Sequence, residues 1–181
     1  MDRLRFQSLA SGSSGNCYYI GNASFGILID AGIGVRTIRK CLRNIGLDFG
    51  NIWGVFVTHD HADHIKAVGT IGEKFKVPIY ATRKVHEGIQ RSYCVTEKLY
   101  GSKRYIEKNE TVEFGDFKIT SFPATSPITV ISATSFAFLR CLWQIANPTS
   151  NFLAYELARL APPASGAAII KLPLFNFSNS S

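Results

Sequence analysis

The chain has 181 residues, a formal net charge of +7 and 46% hydrophobic residues, enough for one domain with a substantial core. Its apolar runs are too short and interrupted for a membrane span of about 20 residues, and the start Met1-Asp2-Arg3-Leu4-Arg5 lacks the apolar block of a signal peptide. Cys17, Cys41, Cys94 and Cys141 form no Cys-x-x-Cys pair, the pattern of reduced thiols in a cytoplasmic protein, and the positive charge admits an anionic partner such as nucleic acid.

Leu4 to Leu9 and Cys17 to Gly21 predict strands around the loop Ala10-Ser11-Gly12-Ser13-Ser14-Gly15-Asn16. Glycines in such a loop let the backbone approach a ligand and Ser or Asn side chains donate to oxyanions; a plain tight connection is the alternative. Gly26-Ile27-Leu28-Ile29-Asp30 is a buried-type strand stopped by Ala31-Gly32, with Asp30 a candidate helix or turn cap. Val35 to Ile45 predicts an amphipathic helix with Ile38, Leu42 and Ile45 inward and Gly46 ending it. Its other face carries Arg36, Arg39, Lys40 and Arg43, either a stripe for a phosphate backbone or a solvated basic face.

The apolar, β-prone run Trp53-Gly54-Val55-Phe56-Val57 leads into Thr58-His59-Asp60-His61-Ala62-Asp63-His64, which holds three of the chain's four histidines. Residues two apart in an extended segment share a side, so His59 and His61 can offer their imidazoles to one cation. Asp63 and His64 fall where a helix begins, announced by the apolar stripe Ile65, Val68, Ile71 and Phe75; a carboxylate is favoured there and, with His64, can serve a second cation. Imidazole and carboxylate together suit zinc or another borderline divalent metal.

Further on, Val77 to Ala81 predicts a strand and Thr82 the N-cap of a helix over Arg83 to Arg91, with His86 on its surface. Val112-Glu113-Phe114 and Phe117-Lys118-Ile119 around Gly115-Asp116 predict a two-residue hairpin. Alternating strands and helices through Phe122 indicate an α/β sandwich with loops that hold the metals. Beyond Pro123 the composition changes: residues 124–181 contain no His or Asp and are rich in Ala, Ser, Pro, Phe and Leu.

The string His59-x-His61-x-Asp63-His64 after a hydrophobic strand resembles the signature of the metallo-β-lactamase-fold hydrolases. Ser8 to Cys17 and Leu28-Ile29-Asp30-Ala31-Gly32 resemble one bacterial branch of them, the YycJ/WalJ-like group, some of whose members are regarded as DNA exonucleases. The resemblance implies a metallo-β-lactamase αββα sandwich, with residues 1–123 its N-terminal part and 124–181 an atypical tail. It also implies two divalent ions, zinc or manganese, His59 and His61 serving the first and Asp63 and His64 the second, with Asp63 also orienting the attacking hydroxide, and Asp30 a carboxylate that orients ligands. The implied reaction is phosphodiester hydrolysis in DNA; hydrolysis of a small ester, thioester or lactam and a non-catalytic remnant are the alternatives. The family would supply a further His, Asp and His after Phe122, and no His follows His86 and no Asp follows Asp116. The expectation is therefore a truncated or frame-shifted relative, inactive or nearly so.

Overall fold

The structure, a computed structural model, describes residues 5–107, 109–114 and 117–123, and the backbone of 169–174. The chain divides into two compact units, residues 1–106 and 107–181.

The first unit is built on a six-stranded mixed sheet. Strands β1 (Arg5–Ala10), β2 (Cys17–Gly21) and β3 (Gly26–Ile29) form an antiparallel meander. From β3 the sheet continues in parallel through β4 (Ile52–Phe56), β5 (Ile79–Ala81) and β6 (Lys103–Tyr105), in spatial order β1 to β6. Parallel neighbours need crossovers, and these carry helices α1 (Val35–Asn44), α2 (Ala62–Ile65), α3 (Val68–Phe75) and α4 (Arg83–Arg91). Every residue of β2 and β3 is buried, as their unbroken apolar composition requires of strands covered on both faces. Leu28, Ile38, Leu42, Val55, Ile65, Ile71, Ile79 and Ile89 belong to one core cluster.

Local signals account for most boundaries. Helix α1 buries Ile38 and Leu42, one turn apart. It ends at Gly46 with φ +82°, where Gly46 N–H donates to Arg43 O (3.0 Å) and Leu47 N–H to Leu42 O (2.9 Å). That double bond pattern is a Schellman cap, and a left-handed residue there is cheapest as glycine. Thr82 caps α4 by accepting from Val85 N–H.

The stripe Ile65, Val68, Ile71, Phe75 does not lie on one helix. Ala31 N–H donates to His64 O (2.8 Å) and Ala67 N–H to Ala31 O (2.8 Å). The segment after β3 thus takes backbone groups that a continuous helix would need, and splits it into α2 and α3. The sequence also left β6 unmarked, and a short 3₁₀ turn at Phe49–Asn51 capped by Asp48.

Within the second unit, β7 (Thr111–Phe114) pairs antiparallel with β8 (Phe117–Pro123), with Phe114 opposite Phe117. This is the two-residue hairpin predicted. Thr111 and Thr120 hydroxyls meet at 2.8 Å and Lys118 pairs with Glu113 at 2.7 Å, cross-strand contacts of the kind that hold such a ladder. A third strand, β9 (Ile169–Leu174), runs parallel to β8; nothing in the tail's composition announced it. The other positions of 124–181, Cys141 among them, lie outside the described residues. Cys17, Cys41 and Cys94 are free thiols, and among the described residues no helix is long and apolar enough to cross a membrane.

Candidate metal centre

The His-Asp string follows the C-terminal end of β4 and runs into the start of α2, with His61 at the N-cap position. Beside it, the chain leaves β3 at Asp30, a buried carboxylate held at φ 58°. A non-glycine residue in that region is strained, so the surrounding bonds must hold it there. Its own N–H donates to Phe56 O (2.9 Å). Asp30 Oδ1 accepts from Thr58 N–H (2.8 Å), and both carboxylate oxygens lie within 3.0 Å of Thr58 Oγ1. Asp30 Oδ2 also accepts from His64 Nδ1 (2.8 Å).

These contacts decide the histidine tautomers. A hydroxyl has one proton; Thr58 gives it to the Asp30 carboxylate, which is acceptor-only, so Thr58 Oγ1 accepts from His59 Nδ1 at 3.0 Å. His59 and His64 therefore both carry a proton on Nδ1, which leaves Nε2 as the atom that each ring, when neutral, offers to a cation. One buried carboxylate sets both rings, directly for His64 and through Thr58 for His59, the arrangement by which a carboxylate prepares imidazole ligands.

The rings are gathered as the spacing predicts. His59 packs on His61 edge-on at 4.7 Å between centroids and on His64 at 3.8 Å. Asp63 Oδ2 lies 3.2 Å from His64 Nε2. Burial, reinforced by the His64 ring, holds His59 below the ordinary imidazole range. Burial also acts on His64, but the hydrogen bond to Asp30 and the charges of Asp30 and Asp63 outweigh it and hold that ring above the ordinary range.

Two further elements brace the string. Asn16, at the end of the Ser-Gly loop, donates its N–H to Asp63 O (2.7 Å) and accepts from Gly32 N–H (2.8 Å). Its side-chain Nδ2 reaches Asp63 Oδ2 (3.1 Å) and His64 Nε2 (3.2 Å). Gly32 lies against the backbone of Asp63 and His64 so closely that a Cβ there would overlap the Asp63 carbonyl. A Cβ on Gly88 of α4 would likewise collide with the Asp60 carboxylate. The Ser-Gly loop is thus both the connection between two antiparallel strands and a wall of the site. The sequence offered Asn16 as one donor among several, Gly32 only as part of the stop after β3, and Thr58 with no role, because their partners are remote in the chain.

Among the described residues, no three His, Cys, Asp or Glu side chains are arranged as they stand to hold an ion. The donor chemistry nevertheless fits a borderline divalent cation: imidazoles with Nε2 lone pairs set by a buried carboxylate, beside a half-buried aspartate.

His86 lies elsewhere and is a correction: it is buried, not on the surface. Its Nε2 donates to Arg104 O (3.0 Å), while Nδ1 is buried with no hydrogen-bond partner. The α4 backbone turns it toward β6, so it takes no part in the site. The basic face of α1 forms a concavity of about 350 Å³ lined by Arg36, Arg39, Lys40, Arg43 and Asn44. Arg39 and Arg43 both bond Asp48 there, at 3.0 and 3.1 Å, and the Arg39 guanidinium holds the Asp48 carboxyl down to about 2.

Residues 26–137 match the family model described as Beta-lactamase superfamily domain. The chain is 31% identical over 119 residues to exodeoxyribonuclease YycJ of Bacillus anthracis, covering 66% of this chain and 44% of that protein. It is 32% identical over 119 residues, with the same coverage, to exodeoxyribonuclease WalJ of Streptococcus pneumoniae. The matched region therefore spans less than half the length of these relatives. Among solved structures, a B3 metallo-beta-lactamase with an active-site glutamic acid superposes with a TM-score of 0.53 at 19% identity, over 64% of this chain and 47% of its own. That likeness establishes the fold, a mixed α/β architecture of the metallo-β-lactamase type.

Proposed function

The chain belongs to the beta-lactamase superfamily, and from that premise we propose that His59, His61, Asp63 and His64 bind divalent cations, zinc or manganese, for hydrolysis of phosphodiester bonds in DNA. The observation that carries the reading is the Asp30–Thr58–His59 and Asp30–His64 relay, which gives two adjacent imidazoles the tautomer a metal requires. A surface histidine pair without ligand duty has no need of a shared buried carboxylate.

In this reading His59 and His61 hold one cation, and Asp63 and His64 a second. A bound divalent cation supplies an acidified water and polarises the scissile group. The chain's own contribution is preorganisation: Asp30 fixes ring orientation, Asn16 and Gly32 fix the backbone of Asp63 and His64, and Asp63 orients the attacking water and accepts its proton. The nuclease relatives and the basic face of α1 support DNA as substrate; Asp48 neutralises part of that face, leaving Arg36 and Lys40 as its principal phosphate contacts. Four donors for two cations are few, and no His follows His86 and no Asp follows Asp116 in these 181 residues. Weak cation binding and slow or absent turnover by this chain alone follow.

Calorimetry with zinc and manganese tests the ligand set: His59→Ala and Asp63→Ala should each weaken uptake, and unchanged stoichiometry and affinity in both would refute it. DNA binding should fall steeply with salt, because each phosphate contact releases counterions. Salt-insensitive binding, or equal binding after Arg36, Arg39, Lys40 and Arg43 are all changed to Ala, would reject the α1 face as the contact. Single- and double-stranded DNA with and without manganese then test turnover.

A further inference from the structure

Asp60 is the acidic residue of the His-Asp string that has no place in the ligand set, and it stands between His59 and His61. In extended chain the middle residue of three leaves on the side opposite its neighbours. The two rings meet at 4.7 Å between centroids, and the Asp60 side chain lies against Gly88 of α4. The approach is close. A Cβ on Gly88 would overlap Asp60 Oδ2 and stand 2.5 Å from its Cγ and 2.6 Å from its Cβ. Rotation of the Asp60 side chain can clear the first two atoms, but Cβ is fixed by the backbone.

We infer that Gly88 is the seat of Asp60, and that this contact with α4 sets the course of the backbone between His59 and His61, and so how the two rings converge on one cation. The inference rests on the ligand reading above and adds two positioning residues to it. Thr58 N–H and His64 Nδ1 both bond Asp30, so residues 59–63 form an arc pinned at both ends. In its later half His64 N–H donates to His61 O (2.9 Å), and Asn16 N–H holds the Asp63 carbonyl. In its earlier half Asp60 is exposed, and α4 supplies the brace.

The helix is the fixed partner in this contact. Val85, His86, Gly88 and Ile89 are buried, Thr82 caps the first turn, and His86 Nε2 donates to Arg104 O on β6 (3.0 Å). A larger residue at position 88 would therefore displace the exposed string and not α4. Glycine is a poor helix former, so alanine would suit the helix itself better; the space that Asp60 takes is what calls for glycine. To bring the two Cβ atoms to an ordinary carbon separation of about 3.5–4.0 Å, the backbone at residue 60 has to retreat by roughly 1 Å. Ligand distances in metal sites hold to about 0.2 Å, so a shift of that size between His59 and His61 spoils their convergence.

The test is zinc and manganese calorimetry on the full chain, on Gly88→Ala, on Asp60→Gly and on the two combined, with melting and the histidine ring resonances of the metal-free proteins alongside. Gly88→Ala should weaken cation binding by roughly 10–100-fold, as loss of a ligand's supporting contact does, and should move the His59 and His61 ring signals before any cation is added. Asp60→Gly removes all three atoms that the new methyl would meet. It should cost less affinity than Gly88→Ala, because Thr58 and His64 stay pinned to Asp30. In that background Gly88→Ala should change affinity by less than about three-fold, the coupling expected of residues in direct contact. A role of Gly88 in the helix alone would give the same loss in both backgrounds. Parent-like binding by Gly88→Ala, or an equal loss with and without the Asp60 side chain, overturns the inference and leaves the ligand reading intact. Uptake that His59→Ala does not weaken overturns both. Should Gly88→Ala fail to fold, the combined variant decides: recovery of fold and uptake to the Asp60→Gly level supports the seat, and continued failure overturns it.

Discussion

Replacing Gly32 by alanine should damage the site without touching any proposed ligand. The Gly32 backbone lies outside the left-handed region, so alanine meets no conformational penalty there. The obstacle is space: the new Cβ would overlap the Asp63 carbonyl and stand 2.8 Å from His64 N. These are backbone atoms and cannot rotate away. The chain has to separate, and two bonds that clasp this crossing, Ala31 N–H to His64 O and Asn16 N–H to Asp63 O, stretch or break. Overpacking costs about 1–3 kcal/mol, and each lost bond about 0.5–1.5 kcal/mol. The sum is roughly 2–6 kcal/mol, centred near 4. At about 2–4 °C per kcal/mol for a chain of this size, the midpoint should fall by roughly 8–16 °C. Scanning calorimetry gives the midpoint and manganese titration the affinity, which should drop because Asp63 and His64 move together. Gly50→Ala is the control: it is exposed with nothing near its Cβ, and should change stability by no more than about 0.5 kcal/mol. A Gly32→Ala protein that melts within a degree of the parent would refute the close approach and the bracing assigned to it.

Two more changes probe named contacts. Asp30→Asn retains an acceptor for Thr58 N–H but turns an amide N–H₂ toward His64 Nδ1, forcing that ring's proton onto Nε2. Cation affinity should fall about 10–100-fold; unchanged affinity by calorimetry would reject the relay. Burial holds His86 below the usual imidazole range despite its bond to Arg104 O. The unfolded chain therefore takes up that proton first, and His86 should cost stability progressively as pH falls below about 6.5. Melting midpoints of the parent and of His86→Gln, compared from pH 7.5 to 5.5, should show the parent losing more; parallel curves would show that His86 is not held neutral by the fold.

Much of the first unit is legible in the sequence because its signals are local. Gly46 ends α1 and Thr82 starts α4 through bonds that reach only a few residues along the chain. His59, His61 and His64 crowd together because they are two and three residues apart at the turn from extended chain to helix, and in the second unit the register that pairs Phe114 with Phe117 is equally local. What only the tertiary structure decided rests on distant partners. Asp30 meets Thr58 across 28 residues and His64 across 34, and Asn16 meets Asp63 across 47. No periodicity encodes such separations, so a possible cap became the carboxylate that sets two tautomers, and a loop amide became the neighbour of two donors. The same reason explains the split between α2 and α3: Ala31 takes the His64 and Ala67 backbone groups, and an apolar stripe carries no record of which strand end will compete for them. His86, expected on the surface of α4, is buried against β6, which the chain reaches only by the α4 crossover.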